Sequence, residues 1–161
     1  MGRFHKFWKL PRREKLFLCE ACILLLLANL SVKIFAFGRI ERHLRAHCNN
    51  GRMLGIVASA CDVKDGTRLV DLSVARAAVV LPFKSLCLSR SIATFTMLRR
   101  RGFPAVLFAG VRVCADSSLI AHAWVEAGCG MMVRNSEKST FTTLVRIGVE
   151  PWMLMQRAPP C

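Results

Sequence analysis

Apolar residues recur at helical spacing through the earlier part of the chain, whereas strand-length apolar runs dominate its later part. Two helices are predicted first, one over "RREKLFLCEACILLLLANLSVKIF" and one over the more polar "GRIERHLRAHCNN". The second ends in "NNG", residue types that stop helices. A third helix is predicted to begin near Asp71 or Ser73, both suitable N-caps, and to run to the block at Pro82.

A fourth helix is predicted to begin at a Ser85 cap. Its apolar positions are spaced three or four residues apart, as expected of one buried helical face: Leu88, Ile92, Phe95 and Leu98. Three arginines over residues 99–101 lie in the last turn, where cations complement the helix dipole. Gly102 then supplies a stop and Pro104 prevents continuation, so the end of this helix is well marked.

Three apolar runs of strand length follow, separated by breaks that contain glycine and serine: "AVLFAGVRV", "IAHAWVEA" and "TTLVRIGV". Helices followed by strands predict an α+β fold with an antiparallel sheet. We divide the chain into a basic, hydrophobic N-terminal helical segment over residues 1–52 and a core domain over residues 53–161.

The apolar stretch "KLFLCEACILLLLANLSVKIFAF" bears on membrane contact. Only 12 uncharged residues separate Glu20 from Lys33, fewer than the roughly 20 that a spanning helix requires. We therefore predict a helix buried in the core of the protein. A helix lying in the membrane interface and a true span remain open alternatives, since basic residues flank the stretch and suit anionic headgroups as well as solvent.

The net charge is +14, and the first 52 residues contribute 11 basic against 3 acidic side chains. Such an excess favours acidic partners, whether an anionic membrane surface, nucleic acid or an acidic peptide. The run over 99–101 is explained by helix-end charge, and no aromatic residues alternate with basic ones to form a stacking platform. Because a phosphate-binding glycine loop is also missing from the sequence, we expect no nucleic-acid partner and no nucleotide cofactor.

Eight cysteines are scattered over 161 residues without a short repeating spacing, so we predict reduced thiols and a cytoplasmic protein. Cys19 and Cys22 form a C-x-x-C pair, but no second pair or nearby histidine completes a zinc site, and we interpret them as packing residues. His43 and His47 have the spacing of metal ligands, yet Leu44 replaces the glutamate of the zinc-protease motif. We therefore expect no metal and no other cofactor.

Two residues on different elements have the chemistry of a cysteine nucleophile and its base. Cys87 is predicted at the second helical position after Ser85, where free N–H groups and the helix dipole favour a thiolate. His122 lies in a predicted strand between Ala121 and Ala123, whose small side chains leave space beside the imidazole. Each residue taken alone is ordinarily structural. Together they match the way in which cysteine proteases assemble a site in space.

A set of short motifs extends this pairing over the region from about Leu69 to Asn135. In order, they are "LP", "CL", "MLRRRGFP", an apolar strand with "GV", and "HAWVE". Their order and spacing resemble the transglutaminase-like cysteine peptidases of lasso-peptide biosynthesis, and the hydrophobic N-terminal helix with basic flanks is also similar to that family's. The resemblance implies a transglutaminase-like domain of the papain-like cysteine protease type, with N-terminal helices followed by an antiparallel sheet.

The resemblance implies that Cys87 is the nucleophile and His122 the general base and acid. The family's third member is an aspartate shortly after the "HAW" strand, and Asn135 occupies the corresponding place here. An asparagine can orient a histidine but supplies no negative charge, so impaired catalysis is an alternative. Asp116 and Glu126 are rival third members, although Asp116 precedes the histidine and Glu126 lies on its strand.

By resemblance, the protein is expected to remove the leader from a lasso-peptide precursor before a separate asparagine-synthetase-like cyclase closes the ring. The implied partners are the precursor, a small leader-binding recognition protein and the cyclase. Two alternatives are a catalytically impaired membrane-associated or partner-binding protein of the same fold, and a transferase that passes the acyl group to an amine instead of water.

Overall fold

The computed structural model of the protein describes residues 11–50, 60–127, 131–133 and 141–148. Within these residues, four helices precede the strands: α1 (Arg12–Ile34), α2 (Phe37–Asn50), α3 (Ala60–Val80) and α4 (Cys87–Arg100). Four strands follow: β1 (Ala105–Val113), β2 (Leu119–Ala127), β3 (Met131–Val133) and β4 (Thr142–Gly148). The predicted α+β arrangement of helices followed by an antiparallel sheet is confirmed.

The sheet has the strand order β3-β2-β1-β4, and every pairing in it is antiparallel. β1 and β2 form a regular hairpin in which His122 lies opposite Gly110. On its other edge β1 pairs with β4, and the register shifts between Ala109 and Gly110. This bulge in the β1–β4 pairing therefore lies next to Gly110, the residue that pairs with His122 on the other edge of β1.

One hydrophobic core joins the helices to the sheet. Its fully buried members come from α1, α3, α4 and the strands, and include Leu25, Val70, Leu98, Leu107 and Ile147. Burying an aliphatic side chain of this size contributes about 1.5–3 kcal/mol to stability. The boundary at residue 52 that separates the two predicted segments falls outside the described residues, and the division stays a prediction.

The end of α4 follows the sequence pattern and adds a tertiary contact. Gly102 has φ of 76°, in the left-handed region that favours glycine, and Phe103 N donates to Leu98 O at 3.1 Å. Arg101 also pairs with Glu20 of α1, and its guanidinium carbon lies 4.0 Å from the Phe17 ring centroid. The arginine run therefore ties α4 to α1 in addition to complementing the helix dipole.

Two predicted helix starts are wrong. Helix α3 begins at Ala60, so Asp71 and Ser73 lie within it, and the Ser73 hydroxyl donates to Leu69 O at 2.7 Å. The N-cap of α4 is Leu86, which makes no side-chain capping bond. Ser85 instead accepts a hydrogen bond from Arg90 Nε at 2.7 Å. Cys87 is consequently the first residue of α4 and not its second helical residue.

Candidate active site

Cys87 occupies the N-terminus of α4, the helix that packs between α1 and the sheet. Leu86 before it is extended, with φ −73° and ψ 157°, so the chain turns into the helix at the cysteine itself. The thiol is free and half-buried. Because first-turn N–H groups have no partner within the helix, this position presents backbone donors and the positive end of the helix dipole to a negative charge.

His122 stands on β2 with its imidazole held among aromatic rings. Its ring centroid is 5.2 Å from that of Phe141 and 6.3 Å from that of Trp124, with which it is stacked at 15°. Trp124 in turn stacks on Phe108 of β1 at 5.4 Å. The rings restrict the orientation of the half-buried imidazole, as a group that exchanges protons with a fixed partner requires.

Cys87 and His122 line the same cleft, which has a volume of about 310 Å³ and lies between α3, α4 and β2. Its polar wall is contributed by two charged residues, Asp71 and Arg90, and by Ser91 and Thr94. A thiol at a helix start and an imidazole on a neighbouring strand therefore line one cleft, which is the pairing of groups that cysteine nucleophile chemistry requires.

The chain matches the transglutaminase-like superfamily over residues 24–146. It belongs to that superfamily. Transglutaminase-like domains typically act as cysteine peptidases or acyltransferases, and the matched region contains both Cys87 and His122. No curated protein and no solved structure matches the chain.

Two charged residues of this transglutaminase-like cleft were not predicted as site residues. Arg90 follows Cys87 by three residues and so lies on the same side of α4, a spacing that the sequence shows. Asp71 was interpreted as a helix cap, and only the packing of α3 against α4 brings it to the cleft. The cleft lining therefore includes both a cation and a carboxylate.

The rival third members lie elsewhere on the transglutaminase-like domain. Asp116 is in the β1–β2 turn, where its Oδ1 accepts from Ser118 N at 3.0 Å and from Ser118 Oγ at 2.6 Å. These hydrogen bonds lower the pKa of Asp116. Glu126 accepts a hydrogen bond from Trp124 Nε1 at 3.3 Å. Neither carboxylate lines the cleft with Cys87 and His122. Asn135 lies outside the described residues.

The thiols of the C-x-x-C pair lie on α1, away from the cleft. Cys19 is exposed and Cys22 is half-buried. Burial, and secondarily the neighbouring Cys19, raises the pKa of the Cys22 thiol. Within the described part of the chain, no group of three or more histidine, cysteine or acidic side chains is placed to hold a metal ion.

Proposed function

We propose that this protein is a cysteine peptidase that removes the leader from a lasso-peptide precursor. The observation that carries the proposal is the shared cleft of Cys87 and His122 in a transglutaminase-like domain. The resemblance of the "LP…CL…HAWVE" motifs to the leader peptidases of lasso-peptide biosynthesis supplies the substrate class. A small leader-binding protein and a separate cyclase are the partners of the proposal, and its location is the cytoplasm.

The proposed reaction proceeds through a thioester. The Cys87 thiol transfers its proton to His122 while its sulfur attacks the carbonyl carbon at the leader–core junction. The tetrahedral intermediate collapses when His122 gives the proton to the departing core amine, which leaves the leader bound to sulfur. Water then attacks the thioester, and His122 takes one proton from it and returns that proton to the sulfur. The leader departs as a carboxylic acid, which releases its remaining proton to solvent.

The start of α4 is suited to stabilise the oxyanion of this intermediate. The N-cap residue Leu86 makes no side-chain capping bond. The N–H groups of the first turn can therefore donate to a substrate carbonyl oxygen. Such donors typically contribute about 3–4 kcal/mol of transition-state stabilisation. The backbone N–H of Cys87 is the donor that we assign to this role.

The third catalytic member of the proposal is Asn135, which would orient the His122 imidazole. The resemblance supports Asn135, and the position of Asp71 on the cleft wall makes Asp71 the competing group. Asn135→Ala should lower the cleavage rate substantially, whereas Asn135→Asp should preserve or raise it. If both Asn135 variants cleave at the unchanged rate while Asp71→Asn does not, the role passes to Asp71.

The test uses a lasso-peptide precursor, a leader-binding protein and mass spectrometry of the products. Wild type should yield free leader and core, and Cys87→Ala and His122→Ala should abolish cleavage. Cys114→Ala is the matched control, because Cys114 is a free, half-buried thiol in the β1–β2 hairpin, away from the cleft. Cleavage that survives Cys87→Ala contradicts the proposal.

Acyl transfer to an amine is the second candidate, and it is favoured by the acyltransferases of the same superfamily. Addition of a primary amine to the reaction distinguishes the two outcomes. Hydrolysis yields a leader that ends in a carboxylate, whereas transfer yields a leader–amine adduct. If the protein is catalytically impaired, neither product should form. Iodoacetamide should then label Cys87 at the same rate in wild type and in His122→Ala, because His122 does not activate the thiol.

A further inference from the structure

Helix α1 carries a continuous apolar surface on the side opposite its core face. The core face is formed by Leu18, Ala21, Leu25 and Ala28. The opposite side, here called the apolar stripe, consists of large aliphatic side chains that are 51–71% exposed: Leu16, Ile23, Leu26, Leu27, Leu30 and Ile34. Phe35, 41% exposed, extends it beyond the helix end. Exposed apolar surface of this extent marks an interaction site.

The stripe has the geometry of a helix that lies flat on a surface. From Leu16 to Ile34 the helix rises about 27 Å at 1.5 Å per residue. By length and composition alone α1 could cross a membrane, since its most apolar 18-residue window has a mean hydropathy of 2.0. Its core face, however, packs against α3 and α4. Spanning would expose Leu25 and its neighbours, so contact through the stripe alone preserves the core.

Cations surround the stripe. Arg12 lies exposed one turn before Leu16, Lys33 lies exposed beside Ile34, and the Arg39 guanidinium carbon is 5.5 Å from the Phe35 ring centroid. The three acidic side chains of α1 and the described part of α2 are each engaged by arginine: Glu14 by Arg76, Glu20 by Arg100 and Arg101, and Glu41 by Arg45. The charge beside the stripe is therefore net positive.

A second cavity continues the same surface. This groove of about 590 Å³ lies between α1, α2 and α4, and shares Leu27 and Phe35 with the stripe. Arg39, Arg99 and Arg100 contribute basic groups to its lining. The apolar stripe and the basic groove are therefore continuous, which is the arrangement that acyl chains and negatively charged headgroups require together.

We propose that the stripe binds the surface of an anionic phospholipid bilayer, with α1 parallel to the membrane plane. Aliphatic side chains between cations complement an anionic interface. The residues that dominate protein–protein binding energy are instead enriched in tryptophan, tyrosine and arginine, and leucine is under-represented among them. The inference is independent of the catalytic proposal.

Membrane contact through the stripe leaves the cleft accessible. The cleft is lined by Cys87, Arg90, Ser91 and Thr94 on one side of α4, and the groove by Ile92, Thr96 and Arg99 on the other side. A membrane-bound molecule therefore directs the groove to the lipid while the cleft opens away from it.

The test is co-sedimentation with vesicles of phosphatidylcholine that contain phosphatidylglycerol, compared with pure phosphatidylcholine. Wild type and Cys87→Ala should both bind the anionic vesicles, and high salt should weaken binding because exposed charges are screened. The Ile23→Gln, Leu30→Gln double variant should bind at least about tenfold more weakly, since two apolar side chains no longer enter the interface. The Leu119→Gln, Leu144→Gln variant is the matched control, because both leucines are exposed on the sheet and should not affect binding.

A second readout uses the unsubstituted protein. Cys19 is exposed on α1 beside the stripe, and anionic vesicles should protect it from maleimide while Cys114 of the hairpin keeps its labelling rate. The proposal is overturned if wild type does not sediment with anionic vesicles, or if the stripe variant sediments as well as wild type. It is also overturned if the stripe instead drives self-association or capture of the leader-binding protein, or if vesicle binding resists carbonate extraction as a span would.

Discussion

Arg90 Nε donates a hydrogen bond of 2.7 Å to Ser85 Oγ, which connects the first turn of α4 to the segment that precedes it. Ser85 is buried, and Arg90 lines the cleft beside Cys87. The bond spans the cysteine in the chain. It therefore fixes the position of the Arg90 side chain in the cleft relative to the start of α4.

We expect Ser85→Ala to lower the free energy of unfolding by about 1–2 kcal/mol, because the half-buried guanidinium loses a hydrogen-bond acceptor. Urea denaturation of Ser85→Ala, Arg90→Ala and the double variant forms a cycle that isolates the pair. A coupling free energy of about 1 kcal/mol supports the contact. Strictly additive losses would show that the bond contributes nothing to stability.

Gly110, which pairs with His122, allows β4 to approach β1 closely. A Cβ atom at this position would lie 2.6 Å from Thr142 O and 3.3 Å from Trp124 Cη2. Gly110→Ala should lower the free energy of unfolding by about 1–3 kcal/mol, because the backbone of β4 must shift. Gly38→Ala is the matched control, since among the described residues no atom beyond its chain neighbours and its own helix backbone lies within 4 Å of its Cβ position in α2. For Gly38→Ala we expect the free energy of unfolding to rise by up to about 1 kcal/mol, as measured by thermal or urea denaturation.

Thr67 on α3 is 2% exposed, and its hydroxyl has no hydrogen-bond partner among the described residues. Thr67→Val should raise the free energy of unfolding by about 1 kcal/mol, because an apolar group of the same shape avoids the cost of desolvating the hydroxyl. Thr96→Val is the comparison, because Thr96 Oγ1 donates to Ile92 O at 2.8 Å. The free energy of unfolding of Thr96→Val should be about 0.5–1 kcal/mol lower than that of wild type. Destabilisation by Thr67→Val would reveal a bonded hydroxyl.

Asp116 stabilises the β1–β2 turn in a pH-dependent way. The hydrogen bonds from Ser118 lower the pKa of Asp116 in the folded state. Their stabilisation is therefore present above the unfolded-state pKa and disappears as the pH falls through the folded-state pKa. Asp116→Ala should lower the thermal midpoint at neutral pH, and the difference from wild type should shrink in acid. A difference in thermal midpoint that does not change with pH would exclude this linkage. If Asp116→Ala also abolished precursor cleavage, Asp116 would again be a candidate for the third catalytic member.

Local patterns predicted α1, α2, the end of α4 and the three longer strands, because hydrophobic period, helix stops and strand-length runs act within a few residues. The start of α3 could not be predicted in this way. Glycine is a weak helix former, yet α3 continues through Gly66, and the Phe103 ring packs where a Cβ atom of this residue would be. A contact with a residue far along the chain therefore favours glycine inside the helix here, and local sequence does not reveal that contact.

Local spacing and residue type were enough to predict helices followed by an antiparallel sheet, the superfamily, and Cys87 and His122 as the candidate nucleophile and base. The short strand β3 was not predicted. The folded chain was needed to show that Cys87 and His122 share a cleft and that Asp71 and Arg90 line it as well. It was also needed to show that Ser85 binds Arg90 instead of capping α4. Which side chains meet depends on how the helices pack on the sheet, and that packing is a property of the whole core.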